Sequence, residues 1–461
     1  IYQLAEHENI KAEQLWLDSI PENIFLEDIR KKYNVKNKEN VINPVIGEYD
    51  DPFNQKQGVV EINFTGEGNT IIYGSADSGK ETLLSTIIYD IMTNHNPNEV
   101  QMYILDFGTE ALKIFKNCPN VGDVVFLSEK EKLGRLFDML QKEIKERKQI
   151  LSEYNGDYEI FLKEKKKKMP MIVVMINGYE AFAENYEDDY DDLLQVLTRE
   201  GVKCGIVFLI TASTYNDVRY RLAQNFKQTI ALQLNNEDDY FNIFEKVGKK
   251  RPSHLFGRGL VNLSDGEIYE FQTAKICEAE EWNNKIQKTI EKTNKEYGIK
   301  ANKIPVLPNK VCFDDLKVEL KDLSKVPLGI NKKNLSVCSY DFTKNFINII
   351  TSKNIEDSTN YVLHIIEEIK MLKDINIEIF DTERIINTKK VDIIGNFKQF
   401  LKNNKKSKIK TLCIIVGIDK FVNEIGEEEF DEMSKEIESE DNCNILIIEN
   451  ASKLKNREYD E

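Results

Sequence analysis

Nine consecutive residues early in the chain have the types and spacing of a loop that holds phosphate groups. Two glycines are separated by four residues, and a lysine follows the second glycine. In such a loop the glycines let backbone N–H groups turn toward a phosphate, and the lysine reaches its outer oxygens. We predict that this segment, called the phosphate loop, binds a nucleotide. Its residues are Gly74, Ser75, Ala76, Asp77, Ser78, Gly79, Lys80, Glu81 and Thr82.

One position of the phosphate loop departs from the usual pattern. The residue after the lysine is normally Ser or Thr, whose hydroxyl binds Mg²⁺, and here it is Glu81. Thr82 does not take its place, because one step along a helix rotates the side chain by about 100°. The pattern therefore predicts ATP as the ligand, with or without Mg²⁺, and assigns no metal ligand in this chain.

Apolar residues on both sides place the phosphate loop between a strand and a helix. Residues 71–73 form a short apolar run before it, and apolar residues follow it at helical spacing. An ordinary strand-to-helix turn is the alternative interpretation. The strand before and the helix after favour a phosphate-binding loop, because this context is what the motif requires.

The acidic residues that support hydrolysis are missing from their usual place. Residues 171–176 form an apolar strand, after which a P-loop hydrolase carries an acid for Mg²⁺ and usually a glutamate for the attacking water. Asn177 and Gly178 occupy these positions. Since loss of a positioned acid or base costs about 10² to 10⁴ in rate, we predict weak or absent hydrolysis. Glu180 is a candidate replacement acid, with a purely structural role as the alternative.

Three polar side chains are candidates for sensing the bound nucleotide. The amide of Asn177 is able to hydrogen-bond a water on Mg²⁺. Thr211 ends the next apolar strand, where such residues contact the γ-phosphate; a hydroxyl that caps the strand is the alternative. Arg258 lies between two glycines and is expected to be exposed, either as an arginine finger for a neighbouring subunit or as a solvated residue of a glycine turn.

The bulk composition excludes several classes of protein. A length of 461 residues suggests about three domains, and 41% hydrophobic residues suffice for buried cores. The net charge of -16 disfavours a nucleic acid as partner. Seven scattered cysteines without a Cys-x-x-Cys pair predict reduced thiols and no zinc site. The sequence has no apolar run of membrane-spanning length, and its start at Ile1 is typical of a fragment.

The order of features in the first half of the chain repeats in the second half. Residues 71–73 match 349–351, and residues 178–182 match 417–421. The strand around Cys204 is paired with the strand around Cys443. Gly79 and Lys80 fall on Asp357 and Ser358, so the second copy is predicted to lack nucleotide binding. The domain prediction depends on four pairings, which are 71–73 with 349–351, 103–106 with 378–381, 178–182 with 417–421 and 204–207 with 443–446.

The strand composition indicates the fold class. Residues 171–176 and 206–210 are continuously apolar, which is typical of parallel strands covered by helices on both faces. We therefore predict an α/β fold with two domains, the second of them degenerate and shortened. The predicted bounds are 1–45 for a lead-in segment, 46–278 for the nucleotide-binding domain, 279–310 for a connector and 311–461 for the second domain.

Five further motifs, taken in order, resemble a known family. Together with the phosphate loop they are similar to the EssC/EccC-type ATPases of type VII secretion systems, which are membrane-anchored members of the FtsK/SpoIIIE superfamily. The resemblance covers nearly the whole chain. The motifs are residues 46–52 with Gln55 and Gln57, residues 105–108, residues 256–260, residues 304–308 and residues 326–330.

The resemblance implies an architecture and a set of partners. It implies two tandem RecA-like P-loop domains, the last two of three, in the cytoplasmic portion of a bacterial membrane-anchored protein. The terminal domain of that family docks small helical-hairpin substrates that bear a C-terminal export signal. Other secretion-system subunits are further implied partners, as is a homo-hexamer of the full-length protein.

The departures from the family pattern shape the predicted function. Glu81, Asn177 and Gly178 indicate an ATP-binding, regulatory and substrate-recognition segment of a type VII secretion motor with weak or absent hydrolysis. One alternative is an active ATPase that drives protein export. A second alternative is an FtsK-like DNA translocase, which the acidic composition disfavours.

Overall fold

The computed structural model describes residues 17–164, 169–308, 310–312, 316, 320–332, 335–370, 372, 374–386, 393–404, 409–438 and 443–454. The chain divides into a first unit, Ile1–Pro305, and a second unit, Val306–Glu461. This division lies inside the predicted connector 279–310. Residues 1–16 of the predicted lead-in segment lie outside the described part of the chain.

The first unit contains one large sheet with helices packed around it. Its strands are β1 (Val45–Asp51), β2 (Lys56–Glu61), β3 (Thr70–Tyr73), β4 (Val100–Asp106), β5 (Val121–Phe126), β6 (Met171–Asn177), β7 (Ile206–Ala212), β8 (Gln228–Ala231), β9 (Arg258–Asn262) and β10 (Ile268–Thr273). Its helices are α1 (Leu26–Lys32), α2 (Lys80–Asn94), α3 (Lys130–Leu151), α4 (Tyr158–Lys163), α5 (Tyr179–Gly201), α6 (Tyr220–Ala223), α7 (Asp239–Ile243) and α8 (Trp282–Tyr297).

The order of strands in this sheet is β2-β1-β10-β9-β8-β3-β7-β6-β4-β5. The six strands from β8 to β5 are parallel, whereas β9, β10, β1 and β2 continue the sheet with antiparallel pairing. Every residue of β4, β6 and β7 is buried, as expected for strands covered on both faces. The carboxyl ends of β3, β7, β6 and β4 therefore meet at one edge of the sheet.

Helix α2, which follows the phosphate loop, is fixed by a buried carboxylate. Asp90 accepts hydrogen bonds from Arg30 Nη1 at 2.9 and 3.0 Å and from the Val45 N–H group at 3.0 Å. Burial raises the pKa of the Asp90 carboxyl to about 6, and Arg30 and the Val45 N–H group act to lower it. The carboxylate is charged at neutral pH and ties α2 to α1 and β1.

The second unit contains a smaller sheet. Its strands are β11 (Val326–Ile330), β12 (Val337–Tyr340), β13 (Ile347–Ser352), β14 (Ile375–Asp381), β15 (Lys410–Val416) and β16 (Cys443–Asn450). Its helices are α9 (Ile355–Ile369), α10 (Ile393–Asn404), α11 (Ile418–Ile425), α12 (Glu427–Glu438) and α13 (Ala451–Leu454). Strands β11 and β12 form an antiparallel pair, and the other four form a parallel sheet in the order β13-β16-β15-β14.

The two units share one strand order. The run β3-β7-β6-β4 of the first unit corresponds to β13-β16-β15-β14 of the second, as the sequence repeat predicts. The units differ after the first strand of the run, where β13 ends at Ser352 and α9 begins at Ile355. The Asn354 side chain caps α9 by accepting a hydrogen bond from the Glu356 N–H group at 3.1 Å.

Asp357 and Ser358, the residues matched to Gly79 and Lys80, lie in the first turns of α9. A connection of two residues between strand and helix is too short to enclose a phosphate. The second unit is therefore degenerate at this position, and its sheet is shorter than the first within the described residues. None of the helices in the described part of the chain combines the length and apolar character that a membrane crossing requires.

Replacement of Asp90 by alanine should destabilise the first unit strongly. The change leaves Arg30 without its buried partner, and breaking a buried ion pair in this way costs about 3–5 kcal/mol. Urea unfolding followed by circular dichroism measures the effect. Asp28→Ala, at an exposed carboxylate on α1, is the control and should change stability by less than about 0.5 kcal/mol. Equal effects of the two substitutions would contradict the anchoring role of Asp90.

Candidate functional site

The phosphate loop is held at its start by two neighbouring strands. The Gly74 N–H group donates to the Ala212 carbonyl oxygen at 3.0 Å, and the Ser75 N–H group donates to that of Gln233 at 2.7 Å. Ala212 ends β7, and Gln233 lies just beyond β8. Because β3 lies between these two strands, its carboxyl end leads directly into the phosphate loop.

The end of the phosphate loop packs against a second turn that contains Gly257. Gly79 has a φ of +102°, and a Cβ atom on it would lie 3.0 Å from Gly257 Cα. The Gly257 N–H group donates to the Ser78 carbonyl oxygen at 3.1 Å. Both the left-handed conformation and the close approach of two backbones require glycine at position 79.

The polar groups of the phosphate loop suit an anionic ligand. Lys80 Nζ donates to the carbonyl oxygens of Gly74 and Ser75, the latter at 3.0 Å. Ser78 Oγ is buried and has no hydrogen-bond partner among the described residues. Burial lowers the pKa of Lys80, and the carboxylates of Glu180 and Glu81 act in the opposite direction. A phosphate group would supply the charge and the acceptors that these groups lack.

Glu81 and Thr82 diverge as the helical rotation requires. Glu81 Oε1 accepts a hydrogen bond from Thr109 Oγ1 at 2.5 Å, in the segment that follows β4. Thr82 instead lines a separate cavity beside α2. Neither side chain places a hydroxyl where the usual Ser or Thr of this motif would hold Mg²⁺.

Three strand-end side chains form a buried chain of hydrogen bonds, which we call the strand-end network. Asn177 Nδ2 donates to Asp106 Oδ1 at 2.9 Å, and Thr211 Oγ1 donates to Asn177 Oδ1 at 2.9 Å. The Gly178 N–H group donates to Thr211 Oγ1, and the Leu112 N–H group donates to Asp106 Oδ2, both at 2.9 Å. Both polar atoms of the Asn177 amide are thus engaged inside the protein.

The structure brings Asn177 and Thr211 together and adds Asp106, which was not among the predicted site residues. An acidic residue at the end of the fully buried strand β4 is the signal that could have identified it. A nucleotide-sensing role for Asn177 and Thr211 stays a prediction. Such a role requires one of their internal hydrogen bonds to break.

Arg258 corrects the expectation of an exposed cation. Arg258 is only 6% exposed. Its Nε atom donates to Gln272 Oε1 at 2.9 Å, and its Nη2 atom donates to the Ile20 carbonyl oxygen at 2.8 Å. The expectation was wrong because Arg258 is the first residue of β9, a strand inside the sheet. Its guanidinium joins β10 to the lead-in segment rather than extending into solvent.

Glu180 lies in the first turn of α5, near Lys80. Its Oε1 atom accepts a hydrogen bond from Ser213 Oγ at 2.7 Å. Its Oε2 atom is buried and has no hydrogen-bond partner in the described part of the chain. The negative charges of Glu180 and Glu81 both act to raise the pKa of Lys80, against the effect of burial. Glu180 is therefore the carboxylate with a free oxygen close to the phosphate loop.

The site fits a polyphosphate better than it fits a resident Mg²⁺ ion. The glycine cradle, Lys80 and the unpartnered Ser78 hydroxyl match phosphate oxygens. On the metal side, Glu81 is bonded to Thr109, and the Asn177 amide is engaged at both ends. No cluster of three or more His, Cys, Asp or Glu side chains that could hold a metal occurs within the described ranges.

Comparison with known proteins identifies relatives of the chain. The FtsK/SpoIIIE family model matches residues 26–266. The type VII secretion system protein EssC of Staphylococcus aureus (strain MRSA252) is 28% identical over 350 residues, which cover 72% of this chain and 23% of that protein. The chain thus spans about a quarter of the length of the curated relatives it matches.

Two solved structures share the fold. EssC (ATPases 2 and 3) from Geobacillus thermodenitrificans matches with a TM-score of 0.82 and 18% identity, over 96% of this chain and 89% of that chain. Thermomonospora curvata EccC (ATPases 2 and 3), in complex with a signal sequence peptide, matches with a TM-score of 0.61 and 19% identity, over 95% and 88% of the two chains. The predicted fold class of two tandem RecA-like domains is confirmed.

Substitution of Asn177 by aspartate should destabilise the first unit in a pH-dependent manner. The change removes the donor to Asp106 and places two buried carboxyl groups in contact, so the pKa of one of them rises. A raised pKa in the folded state means that the variant recovers stability as the pH falls below that pKa. We expect a loss of about 1–3 kcal/mol at pH 8 that is smaller at pH 5.

Thermal unfolding at the two pH values measures this loss. Asn185→Asp, at an exposed position of α5, is the matched control and should show no such pH dependence. A loss of equal size at both pH values would contradict the strand-end network. Recovery of the variant by Mg²⁺ at pH 8 would show instead that Asp106 and the new carboxylate form a metal site.

Proposed function

The chain belongs to the FtsK/SpoIIIE family, and on that basis we propose that it is an ATP-binding, regulatory and substrate-recognition segment of a type VII protein secretion motor. In this proposal the chain hydrolyses ATP weakly or not at all. The observation that carries it is the pairing of a complete phosphate cradle with a strand end whose acidic positions hold Asn177 and Gly178.

The phosphate loop supplies the groups for binding ATP. Its backbone N–H groups and the N-terminal end of α2 would hold the β-phosphate, and Lys80 would leave the carbonyl oxygens of Gly74 and Ser75 for phosphate oxygens. When bound, Mg²⁺ neutralises phosphate charge. Glu81 and Asn177 each already have a hydrogen-bond partner inside the protein, and the proposal assigns no step to the ion.

A regulatory role is supported by the contacts between the phosphate loop and the lead-in segment. Ser78 is bonded to Gly257, and the next residue, Arg258, is bonded to Ile20. A ligand that binds only the folded arrangement stabilises it in proportion to ligand concentration. ATP would therefore favour the packing in which residues near Ile20 are attached to the first unit.

The substrate-recognition role is assigned to the second unit. Its strand β13 runs into α9 without a phosphate loop, so this unit has a use other than nucleotide binding. The EccC structure from T. curvata, which contains the corresponding tandem domains, holds a signal sequence peptide. By analogy the partners are small helical-hairpin proteins with a C-terminal export signal, other secretion-system subunits and further copies of a membrane-anchored full-length protein.

The unpartnered oxygen of Glu180 favours a second candidate function, an active ATPase that drives export. A buried carboxylate oxygen close to Lys80 is suited to accept a proton from an attacking water. One observation disfavours this candidate. The usual acids of this class lie directly at the strand end, whereas Glu180 lies in the first turn of the helix that follows it. A DNA translocase is disfavoured by the net charge of -16, since DNA affinity depends on neutralising phosphates.

ATP should raise the melting temperature of the full chain in a concentration-dependent way, with little or no turnover. At a ligand concentration of 100 times Kd the stabilisation is about 2.7 kcal/mol. Lys80→Ala should weaken binding by about 10- to 100-fold, because a hydrogen bond to a charged group is worth about 1.5–3 kcal/mol. Lys203→Ala, at an exposed lysine, is the control and should bind as the wild type does.

Phosphate release at saturating ATP separates the two candidate functions. The regulatory function predicts the same low rate for the wild type and for Lys80→Ala. Robust release that is lost in both Lys80→Ala and Glu180→Gln would establish the active ATPase with Glu180 as its base. Absence of any thermal shift at millimolar ATP would refute both candidates.

A peptide with a C-terminal export signal from the same secretion system should bind the second unit. Hydrogen exchange of the full chain with and without the peptide locates the contact, and we expect protection confined to residues 306–461. A scrambled peptide is the control. Because the second unit has no phosphate loop, Lys80→Ala should leave the protection unchanged. Protection confined to residues 17–305 would contradict this assignment.

A further inference from the structure

Negative charges surround the one basic residue of the phosphate loop. Among residues 74–82, Lys80 is the one that carries a positive charge, whereas Asp77 and Glu81 carry negative charges. Burial lowers the pKa of Lys80, and four carboxylates are close enough to act in the opposite direction. They belong to Glu180, Glu81, Asp217 and Asp77. Each phosphate group of a ligand therefore adds negative charge to a region that is already rich in carboxylates.

Glu81 is the carboxylate whose place is set most directly by the motif. It follows Lys80 in the first turn of α2. At this position a Ser or Thr normally helps to hold the Mg²⁺ ion that bridges the β- and γ-phosphates. A negative charge therefore stands where a neutral, metal-binding hydroxyl is usual.

Neighbouring residues hold the Glu81 side chain without neutralising it. Its Oε1 atom accepts the hydrogen bond from Thr109 Oγ1 at 2.5 Å. A Cβ atom on Gly108 would lie 3.6 Å from the same oxygen and 3.0 Å from Asn177 Nδ2, so the segment after β4 passes close to both side chains. The Thr109 hydroxyl donates a hydrogen bond but carries no positive charge. The charge of Glu81 is therefore still present when a ligand arrives.

This charge opposes a γ-phosphate more than a β-phosphate. In a loop of this kind the backbone N–H groups and the helix end hold the β-phosphate. The γ-phosphate lies further out and depends on the lysine and on the bridging metal ion. Like charges a few ångströms apart repel strongly where the protein excludes part of the water. The lost hydroxyl and the added carboxylate thus act in the same direction.

We propose that Glu81 makes the phosphate loop selective for a nucleoside diphosphate over the corresponding triphosphate. A diphosphate has no phosphate group beyond the β position, so it avoids most of the repulsion. This assignment rests on the proposed nucleotide binding and adds the residue that ranks the ligands. A regulatory unit with this preference would respond to the ratio of ADP to ATP, because both compete for one loop.

Calorimetric titration of the full chain with ADP and with ATP, each in EDTA and in Mg²⁺, tests the assignment. We expect the wild type to bind ADP at least several-fold more tightly than ATP in both conditions. Glu81→Gln keeps an acceptor for Thr109 and removes the charge, so it should tighten ATP about tenfold and ADP much less. Glu184→Gln, at an exposed carboxylate on α5, is the matched control and should change neither affinity.

Two further measurements check the same assignment. Glu81→Thr restores the hydroxyl of the usual motif, and in Mg²⁺ this variant should bind ATP more tightly than ADP. Inorganic pyrophosphate and tripolyphosphate give a readout that needs no variant and does not depend on how a variant folds. The wild type should bind pyrophosphate more tightly than tripolyphosphate.

The outcomes separate this inference from the function on which it rests. If the wild type binds ATP at least as tightly as ADP in EDTA, or if Glu81→Gln changes both affinities alike, the inference is wrong and nucleotide binding stands. If Mg²⁺ makes ATP the tighter ligand and Glu81→Gln abolishes that gain, Glu81 is a metal ligand and the inference is again wrong. Binding of neither nucleotide defeats both the inference and the proposed function. A preference for ADP that Glu81→Gln removes and Glu184→Gln keeps supports the assignment.

Discussion

The close approach of two backbones at Gly79 and Gly257 is the constraint on which the rest of the site depends. A Cβ on Gly79 would lie 3.0 Å from Gly257 Cα, and the Gly257 N–H group bonds Ser78. The two residues on either side of Gly257 make different contacts. Phe256 lines the cavity beside α2, and Arg258 is bonded to Ile20 in the lead-in segment. Phosphate loop, cavity and lead-in segment thus share one junction, because no side chain separates the two turns.

The strand-end network pairs the buried polar side chains at this edge of the sheet with one another. Asn177 satisfies Asp106 and Thr211 at once, so the buried edge of the sheet needs neither a metal nor a water to pair its polar atoms. In the second unit the register places Val416 opposite Asp381, as Asn177 stands opposite Asp106. Gly417 and Gly178 nevertheless keep the same left-handed turn, with φ of 79° and 77°. The turn is required by the fold, and the polar chemistry is not.

Local patterns in the sequence were sufficient to predict the strand and the helix on either side of the phosphate loop, the parallel strands and the order of the repeat. Properties that depend on distant pairing were not predictable. The antiparallel part of the sheet depends on the pairing of β1 with β10, where Gly47 lies opposite Thr273, and Arg258 is buried because it is bonded to Ile20. The repeat is an example, because its strand register was not predictable from the sequence. Sequence matching paired Cys204 with Cys443, whereas strand register places Ile206 at the position of Cys443. A slip of two residues keeps every side chain on its face, so hydrophobic pattern alone does not detect it.

In the proposed function, a unit that binds a nucleotide without hydrolysing it would act through linkage between binding and packing. A ligand shifts an equilibrium only by its difference in affinity between two arrangements. In the proposed function the junction would supply that difference, because phosphates near Ser78 would act on Gly257, and the next residue, Arg258, is bonded to Ile20. The lead-in segment is further attached where the Leu26 N–H group donates to the Lys275 carbonyl oxygen at 2.9 Å.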